Sequence, residues 1–282
     1  MKRGLILEGG AMRGMFTSGV IDVFLEQGIS FDGTVGVSAG ATFGCNIKSG
    51  QNGRALRYNL RFARDPRYGS FRSLRETGDY YNEEFCYHTV PYELDPFDNE
   101  AFAANPMRFY VTATSVETGR PVYHKLTDCG AEDLKWIQAS ASMPLFARPV
   151  EIGGKKYLDG GISDSIPLRF MERLGYDRNV VILTRPGDYR KKPSGFQPMM
   201  DRLLKDYPAI VHALHRRPAR YNRTLDYIRS REEAGEAFVI RPPQTLPAGR
   251  LEHDPEKLQA TYDIGRQEAL ACLDGLREFL KQ

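Results

Sequence analysis

A serine between two glycines is the first residue pattern in this sequence that could do chemistry. It has the form G-x-S-x-G, follows an apolar run and precedes small residues that suit a helix. On a tight strand-to-helix turn the serine points outward, and the flanking glycines remove Cβ atoms that would clash with the sharp backbone. Alone the pattern is more often a glycine-rich turn, but this context favours a nucleophile that attacks an acyl carbon. Its residues are Gly36, Val37, Ser38, Ala39 and Gly40.

A second glycine-rich turn ends the first apolar run of the chain. Its residues are Gly9, Gly10, Ala11, Met12, Arg13 and Gly14. One interpretation is a phosphate-binding turn of the dinucleotide type, but Ala11 stands at the second glycine of that motif, and Asp32 precedes the next strand instead of ending it. The other interpretation is an oxyanion loop, whose backbone N–H groups near Gly10 and Ala11 join that of Ala39 around a developing negative charge. The expected position of both turns at one edge of a sheet favours the oxyanion loop.

A serine nucleophile also needs a base, and the sequence offers two kinds. The histidines are His88, His124, His212, His215 and His253, and none has a recognisable catalytic setting. The other candidate is Asp159, which ends a short strand and precedes two glycines, Gly160 and Gly161, that let the backbone turn tightly. An Asp-Gly pair is usually only a hairpin turn. The residues alone therefore leave the identity of the base open.

The elements around these motifs indicate how they are positioned. Residues 4–7 form an apolar run, residues 15–25 have apolar side chains at near-helical spacing, and residues 31–37 form a second extended run. This order predicts a βαβ unit followed by a helix. Because such units pair their strands in parallel, both glycine-rich turns should emerge at the same carboxyl edge of the sheet.

Further alternation of strands and helices predicts an α/β fold with a mainly parallel sheet. Prolines then punctuate a basic, helical-looking region after about residue 187, and an N-cap at Asp254 predicts one final helix to Phe279. The predicted strands cover residues 108–115, 156–158, 179–184 and 238–241, and the predicted helices cover residues 131–141 and 167–174.

Composition limits the class of protein and its surroundings. With 282 residues, 41% hydrophobic and 27% charged, the chain is an ordinary globular one. The net charge of +3 is too small for a nucleic-acid binder, and the four cysteines have no zinc or disulfide spacing. Reduced thiols predict a cytoplasmic protein. Since Glu8 interrupts the first apolar run and no stretch approaches about 20 apolar residues, we expect neither a signal peptide nor a membrane span, and any lipid contact would be peripheral, at the inner membrane surface.

Four arginines recur at three- and four-residue steps along one predicted helix. They are interleaved with aromatic residues and would share one helical face. One hypothesis is that this face rests on anionic lipid headgroups, and the alternative is an ordinary solvated basic helix. The four residues are Arg54, Arg57, Arg61 and Arg64.

The three motifs in this order resemble the patatin-like phospholipase family, in particular its bacterial members. That family carries a glycine-rich oxyanion loop, a G-x-S-x-G elbow and an Asp-Gly-Gly/Ala turn, and residues 139–144 (ASASMP) are similar to its segment ahead of the aspartate. The resemblance extends over residues 2–175. Two positions differ: Glu8 stands where plant members usually have aspartate, and Ala11 replaces a commonly found third glycine.

The resemblance implies a three-layer α/β/α fold with a catalytic domain at residues 2–175 and a mostly helical extension at residues 176–282 packed on it. It also implies a dyad in which Ser38 attacks a fatty-acyl ester of a phospholipid or other lipid while Asp159 takes its proton, with no metal or cofactor. An ordinary aspartate is a weaker base than histidine by about 3.5 kcal/mol, so burial should raise the pKa of Asp159. The alternatives are a carboxylesterase with a Ser-His triad and a non-enzymatic nucleotide-binding protein that uses the glycine loop.

Overall fold

Eight strands form one sheet in the computed structural model, which describes residues 1–281. The strands are β1 (Arg3–Leu7), β2 (Gly33–Val37), β3 (Arg108–Ser115), β4 (Pro121–Leu126), β5 (Val150–Ile152), β6 (Lys155–Asp159), β7 (Arg178–Ile182) and β8 (Ala237–Ile240). Their order is β5-β6-β3-β2-β1-β7-β8, and β4 also pairs with β3. Five strands, in the spatial order β3, β2, β1, β7 and β8, pair with one another in parallel. Strands β4, β5 and β6 pair in antiparallel fashion. The predicted, mainly parallel α/β architecture is confirmed.

Twelve α-helices surround this sheet. They are α1 (Gly14–Glu26), α2 (Ala39–Thr42), α3 (Cys45–Ser49), α4 (Arg54–Phe62), α5 (Phe71–Thr77), α6 (Asn99–Ala104), α7 (Ala131–Ala141), α8 (Leu168–Arg173), α9 (Gln197–Leu203), α10 (Pro208–Glu233), α11 (Pro255–Ala271) and α12 (Leu273–Lys281). Short 3₁₀ turns occupy Ala11–Arg13 and Gly160–Ile162, and a π-helical segment occupies Phe85–Leu94. No helix of residues 1–281 is both long and apolar enough to cross a membrane.

Alternate residues of β1 show that helices cover both faces of the sheet. Leu5 and Leu7 belong to a core cluster that includes Phe16 of α1. Ile6, which lies between them, belongs to a different cluster with Leu168 of α8 and Ile228 of α10. Because successive side chains of a strand point to opposite faces, these two clusters are two separate helical layers. The three-layer α/β/α arrangement follows directly.

The predicted single helix from Asp254 to Phe279 is wrong in one respect: the chain forms two helices there. Asp254 caps the first helix as expected, since its side chain accepts the Glu256 N–H at 3.1 Å. Cys272, with ψ 7°, then leaves the helical conformation. The break redirects α12, so that Phe279 packs against Phe238 of β8.

Strand β3 brings the ends of two other strands together. On one edge, Val37 at the end of β2 pairs with Thr112. The next residue of β3, Ala113, pairs with Asp159 at the end of β6. Ala113 also pairs with β4, which lies along the opposite edge of β3. Strand β6 therefore lies on the same edge as β2 and pairs with the part of β3 just beyond the end of β2. The ends of β2 and β6 therefore meet beside β3.

Residues after 175 contribute to the same sheet. Strand β7 pairs with the whole of β1, and β8 pairs with β7. Thus residues 176–281 add two strands as well as helices α9–α12. The division into a catalytic domain and a C-terminal extension stays a prediction.

Candidate active site

Ser38 adopts a strained backbone conformation between β2 and α2. Its φ of 54° and ψ of −123° lie outside the regions that non-glycine residues normally occupy. Such a conformation costs on the order of 1–3 kcal/mol and persists only where the surroundings impose it. A Cβ on Gly36 would lie 2.5 Å from the Gly40 carbonyl oxygen, and one on Gly40 would lie 2.4 Å from that of Leu7. The turn therefore requires glycine at both flanking positions, as the sequence predicts.

The structure brings Ser38 and Asp159 together. Ser38 follows the last residue of β2, and Asp159 is the last residue of β6, where the two strands meet beside β3. The Ser38 side chain lies close enough to the Asp159 carboxylate to lower the pKa of Asp159. A candidate nucleophile and a candidate base are thus adjacent.

The C-terminal end of α7 fixes both members of this pair. The Ser140 hydroxyl accepts the backbone N–H of Ser38 at 2.8 Å and donates to the Thr112 carbonyl at 2.6 Å. Two residues later, the Ser142 carbonyl accepts the backbone N–H of Asp159 at 2.9 Å. The sequence resemblance marked residues 139–144 without assigning them a role, and the structure shows that they position the two strand ends.

Burial makes Asp159 a stronger base than an ordinary aspartate. Its side chain is buried, and this loss of solvation raises its pKa. Four influences oppose the increase: the positive charges of Arg217 and Arg250, the side chain of Ser38, and the backbone N–H of Gly161, which lies 2.7 Å from the carboxylate. The net pKa shift is upward, which is the direction expected from the sequence.

The first glycine loop packs directly on the elbow. A Cβ on Gly9 would lie 2.8 Å from the Val37 carbonyl oxygen and 2.9 Å from the Ser38 Cβ. Ala11 adopts a φ of 48°, in the left-handed region that favours glycine, so the third-glycine position of the motif is strained here. The loop therefore keeps the glycine-type conformation even with alanine in place.

Only part of the predicted oxyanion loop has free N–H groups. The N–H of Met12 donates to the Arg250 carbonyl, and those of Arg13 and Gly14 donate to carbonyls within the loop. Among residues 1–281, the N–H groups of Gly9, Gly10, Ala11 and Ala39 have no protein acceptor. These four are free to donate to another group, whereas those of the last three loop positions already donate to protein carbonyls.

Two cavities meet at Ser38 and Ala11. The smaller one, of about 110 Å³, is mainly apolar, with Phe43 and Ile137 in its wall. The larger one, of about 610 Å³, also contains Asp159. The walls of both cavities are mainly apolar, but only the larger one also carries several charged side chains, so two different groups could extend in two directions from Ser38.

The five histidines lie elsewhere in the described chain. None lines either cavity. His124 stacks on Trp136 and contacts Asp133, and His215 pairs with Asp201. The Tyr80 hydroxyl and the Ala63 carbonyl contact His253, whereas His88 stacks on Tyr92 and His212 is exposed. Nor do residues 1–281 hold a cluster of three or more His, Cys, Asp or Glu side chains that could bind a metal ion.

The prediction that the arginines of α4 share an exposed basic face is wrong for Arg54. Arg54 is buried, and it forms an ion pair with Asp95 at 3.3 Å. Arg57 pairs with the same carboxylate at 2.8 Å, and Arg61 donates to the Leu94 carbonyl. Asp95 lies about 40 positions away, so helical periodicity could not reveal it. Arg57, Arg61 and Arg64 are exposed, but Arg64 lies beyond Phe62, the last residue of α4, so the predicted helix is also too long.

Several site residues come from the C-terminal part and carry no local sequence signal. The Arg217 side chain donates to the Gly161 carbonyl at 2.6 Å, which fixes the turn after Asp159. The Glu8 carboxylate accepts the Tyr221 hydroxyl at 2.5 Å and the Thr184 N–H at 2.6 Å. Glutamate at position 8, where plant members of the family usually have aspartate, thus connects the end of β1 to α10.

Two family models match the chain. The model described as patatin-like phospholipase covers residues 5–171, more than half of the chain, and includes all three motifs. A second model, described as a domain of unknown function, covers residues 207–281.

Similar proteins are found in bacteria and fungi. Protein YjjU of Escherichia coli is 29% identical over 273 residues, which cover 93% of this chain and 74% of YjjU. Lysophospholipase nte1 of Aspergillus oryzae is 25% identical over 289 residues, or 97% of this chain but only 18% of the fungal protein. This chain therefore spans about a fifth of the length of such lysophospholipases. The structure of VipD from Legionella pneumophila aligns with a TM-score of 0.48 and 14% identity over 97% of this chain and 67% of VipD.

We predict that Ser140→Ala loosens the elbow. The Ser38 N–H would lose its acceptor inside the protein, which should cost about 1–3 kcal/mol of unfolding free energy. Because the strained turn is less firmly held, labelling of Ser38 by a fluorophosphonate should also slow. Denaturant unfolding and labelling rates test both effects.

Ser142→Ala is the matched control for this prediction. Its hydroxyl donates only to the Gln138 carbonyl within the same helix, and its own carbonyl stays in place. Equal labelling rates in the Ser140 and Ser142 variants would contradict the positioning role of Ser140.

Proposed function

Because this chain belongs to the patatin-like phospholipase family and is a lipid acyl hydrolase, we propose that Ser38 and Asp159 are its catalytic dyad. The observation that carries the proposal is the adjacency of a strained, outward-pointing serine and a buried carboxylate at the meeting point of β2 and β6. The absence of histidine from both cavities of the described chain favours this dyad over a Ser-His triad.

The proposed reaction proceeds through an acyl-enzyme. The Ser38 oxygen forms a bond to the ester carbonyl carbon while its proton passes to the Asp159 carboxylate. The oxyanion is stabilised by the N–H groups of Gly10, Ala11 and Ala39, and it collapses when the alcohol leaves with the proton from Asp159. Water then gives a proton to Asp159 and attacks the acyl-enzyme, which releases the fatty acid and returns the proton to Ser38.

The two cavities suggest how the substrate is divided. We propose that the small apolar cavity receives the acyl chain and the large cavity receives the alcohol portion. A lysophospholipid is a suitable substrate because it has one acyl chain and one bulky polar group. The likeness to fungal lysophospholipases supports this choice.

Variants at the dyad test the mechanism. Ser38→Ala and Asp159→Asn should each lower the release of fatty acid from a lysophospholipid by at least about a thousandfold, since each removes a group from the chemical step. The five single His→Ala variants are the controls and should retain most of the activity. A histidine variant as inactive as Ser38→Ala would favour the triad, and full activity in Asp159→Asn would exclude the dyad.

The charge of Arg217 should set the acidic limb of the pH profile. Asp159 must be ionised to accept the proton, and Arg217 opposes the increase that burial causes in its pKa. Removing that charge in Arg217→Gln raises the pKa of Asp159 further, so the limb of kcat/KM should move to higher pH and the loss should be largest at acidic pH.

Two variants control this pH experiment. Arg217→Lys keeps the charge and should keep the limb near its original position. Arg216→Gln removes a neighbouring, exposed arginine and should leave the limb unchanged. A limb that stays in place or moves to lower pH in Arg217→Gln would contradict the assignment.

We propose that any membrane contact occurs at the mouth of the large cavity instead of on the arginine face of α4. Phe71, Phe196 and Met199 line this cavity and are also exposed, with 66%, 66% and 45% of their surface accessible. Exposed apolar residues at the entrance of a lipid-binding cavity fit a surface that dips into the headgroup region of a bilayer.

Vesicle binding tests this surface. Phe71→Ser combined with Phe196→Ser should reduce co-sedimentation with phosphatidylglycerol vesicles severalfold, because each change removes buried apolar contact with lipid. Leu270→Ser, an equally drastic change at an exposed position outside both cavities, is the control. Unchanged binding of the double variant would rule out the mouth as the contact.

A further inference from the structure

The large cavity contains far more positive than negative charge. Three acidic side chains line it, and one of them, Asp79, is already neutralised by an ion pair with Arg148 at 2.7 Å. The other two are Glu8 and Asp159. The cationic cluster that faces them comprises Arg13, Arg185, Lys191, Arg217 and Arg250.

No member of the cationic cluster forms an ion pair with a carboxylate of residues 1–281. Lys191 and Arg185 instead lie over aromatic rings, at 4.5 Å from the Tyr221 ring centre and 4.6 Å from that of Tyr189. Arg250 is exposed, but the other three arginines of the cluster are buried or half-buried, and elsewhere on the protein most such arginines pair with acids, as Arg54 does with Asp95. The protein therefore does not neutralise the positive charge of the cluster, and an anion that enters the cavity can do so.

Arg13 is the most deeply buried member of the cationic cluster. Its side chain is 8% exposed, and its Nε has no hydrogen-bond partner among the described residues. Burying a guanidinium without a partner for each donor is costly, so such groups normally meet an anion. Burial and the charge of Arg185 lower the pKa of Arg13 to about 10.

Lys191 also lies close to the other positive charges of the cluster. Burial and the neighbouring charge of Arg217 lower its pKa to about 7, while Glu8 alone among the larger influences acts in the opposite direction. An anion bound between these cations would relieve their mutual repulsion and restore the protonated lysine.

Four of the five cations lie outside the region matched by the patatin-like phospholipase model. Arg185 and Lys191 follow β7, Arg217 lies in α10, and Arg250 precedes α11. Only Arg13 lies within residues 5–171. The C-terminal part thus supplies most of the charge in the cavity that contains Ser38.

We propose that the C-terminal part builds a phosphate subsite in the active-site cavity, so that this chain prefers lipid esters whose headgroup is a net-negative phosphate. This inference rests on the proposed function, because the acyl carbonyl must lie at Ser38 while the phosphate lies among the cations. Guanidinium groups match phosphate oxygens in a bidentate manner, and several converge here. A choline or ethanolamine on the phosphate would bring a cation into a cavity that is already positive, so a bare or anionic phosphate is favoured.

The test compares three substrates with the same acyl chain in neutral detergent micelles. They are monoacylglycerol, lysophosphatidylcholine and lysophosphatidic acid, which carry a neutral, a zwitterionic and an anionic headgroup. In the wild-type chain kcat/KM should be about tenfold or more higher for lysophosphatidic acid than for monoacylglycerol, with lysophosphatidylcholine between them.

The variants must lower this ratio of specificities. Arg250→Gln and Lys191→Gln should each reduce the ratio of lysophosphatidic acid to monoacylglycerol about tenfold, since each removes one contact to the phosphate. Arg216→Gln is the matched control, because Arg216 is exposed on the same helix as Arg217 and does not line the cavity. It should leave the ratio unchanged.

The outcomes separate this inference from the proposed function. A ratio near one, with monoacylglycerol still hydrolysed, would overturn the phosphate subsite and leave the acyl hydrolase intact. A ratio near one together with inhibition by millimolar inorganic phosphate that Arg250→Gln abolishes would assign the cations to free phosphate, which also overturns the lipid proposal. Failure to hydrolyse any of the three esters would overturn both.

Discussion

One edge of strand β3 is the constraint on which the site depends. Consecutive residues Thr112 and Ala113 pair with the last residues of β2 and β6, so Ser38, which directly follows β2, lies beside Asp159. The parallel strand β2 and the antiparallel strand β6 thus lie end to end along the same edge of β3. Gly160 is part of this arrangement, because a Cβ there would lie 2.1 Å from the Thr112 carbonyl oxygen.

The surroundings stabilise several features that are unfavourable by themselves. Ser38 and Ala11 have positive φ angles, Asp159 is a buried carboxylate, and Arg13 is a buried cation with an unsatisfied donor. The strained backbone at Ser38 and Ala11 costs on the order of 1–3 kcal/mol per residue. Hydrogen bonds from the end of α7 hold the strand ends, and the fully buried residues of β1 and α1 give the rigid base on which they rest.

The parts of the site that could be predicted from sequence are those with local signals. The elbow and the glycine loop are dictated by glycine spacing next to apolar strands, and the Asp-Gly-Gly turn marks the end of a strand. What could not be derived from the residues alone was the meeting of Asp159 with Ser38, since it depends on an antiparallel strand joining an otherwise parallel edge. Arg54 was assigned to an exposed face and Arg217 was missed for a related reason: their partners, Asp95 and the turn at Gly161, lie far along the chain.

The claim at the centre of this account is that the Asp159 carboxylate alone activates Ser38. The most direct measurement is the pH dependence of the rate at which a fluorophosphonate labels Ser38, followed by intact mass. We expect a single ionisation with a midpoint above that of an ordinary aspartate, the same profile in all five His→Ala variants and almost no labelling in Asp159→Asn. Wild-type labelling in Asp159→Asn, or a profile that one histidine substitution removes, would contradict the account.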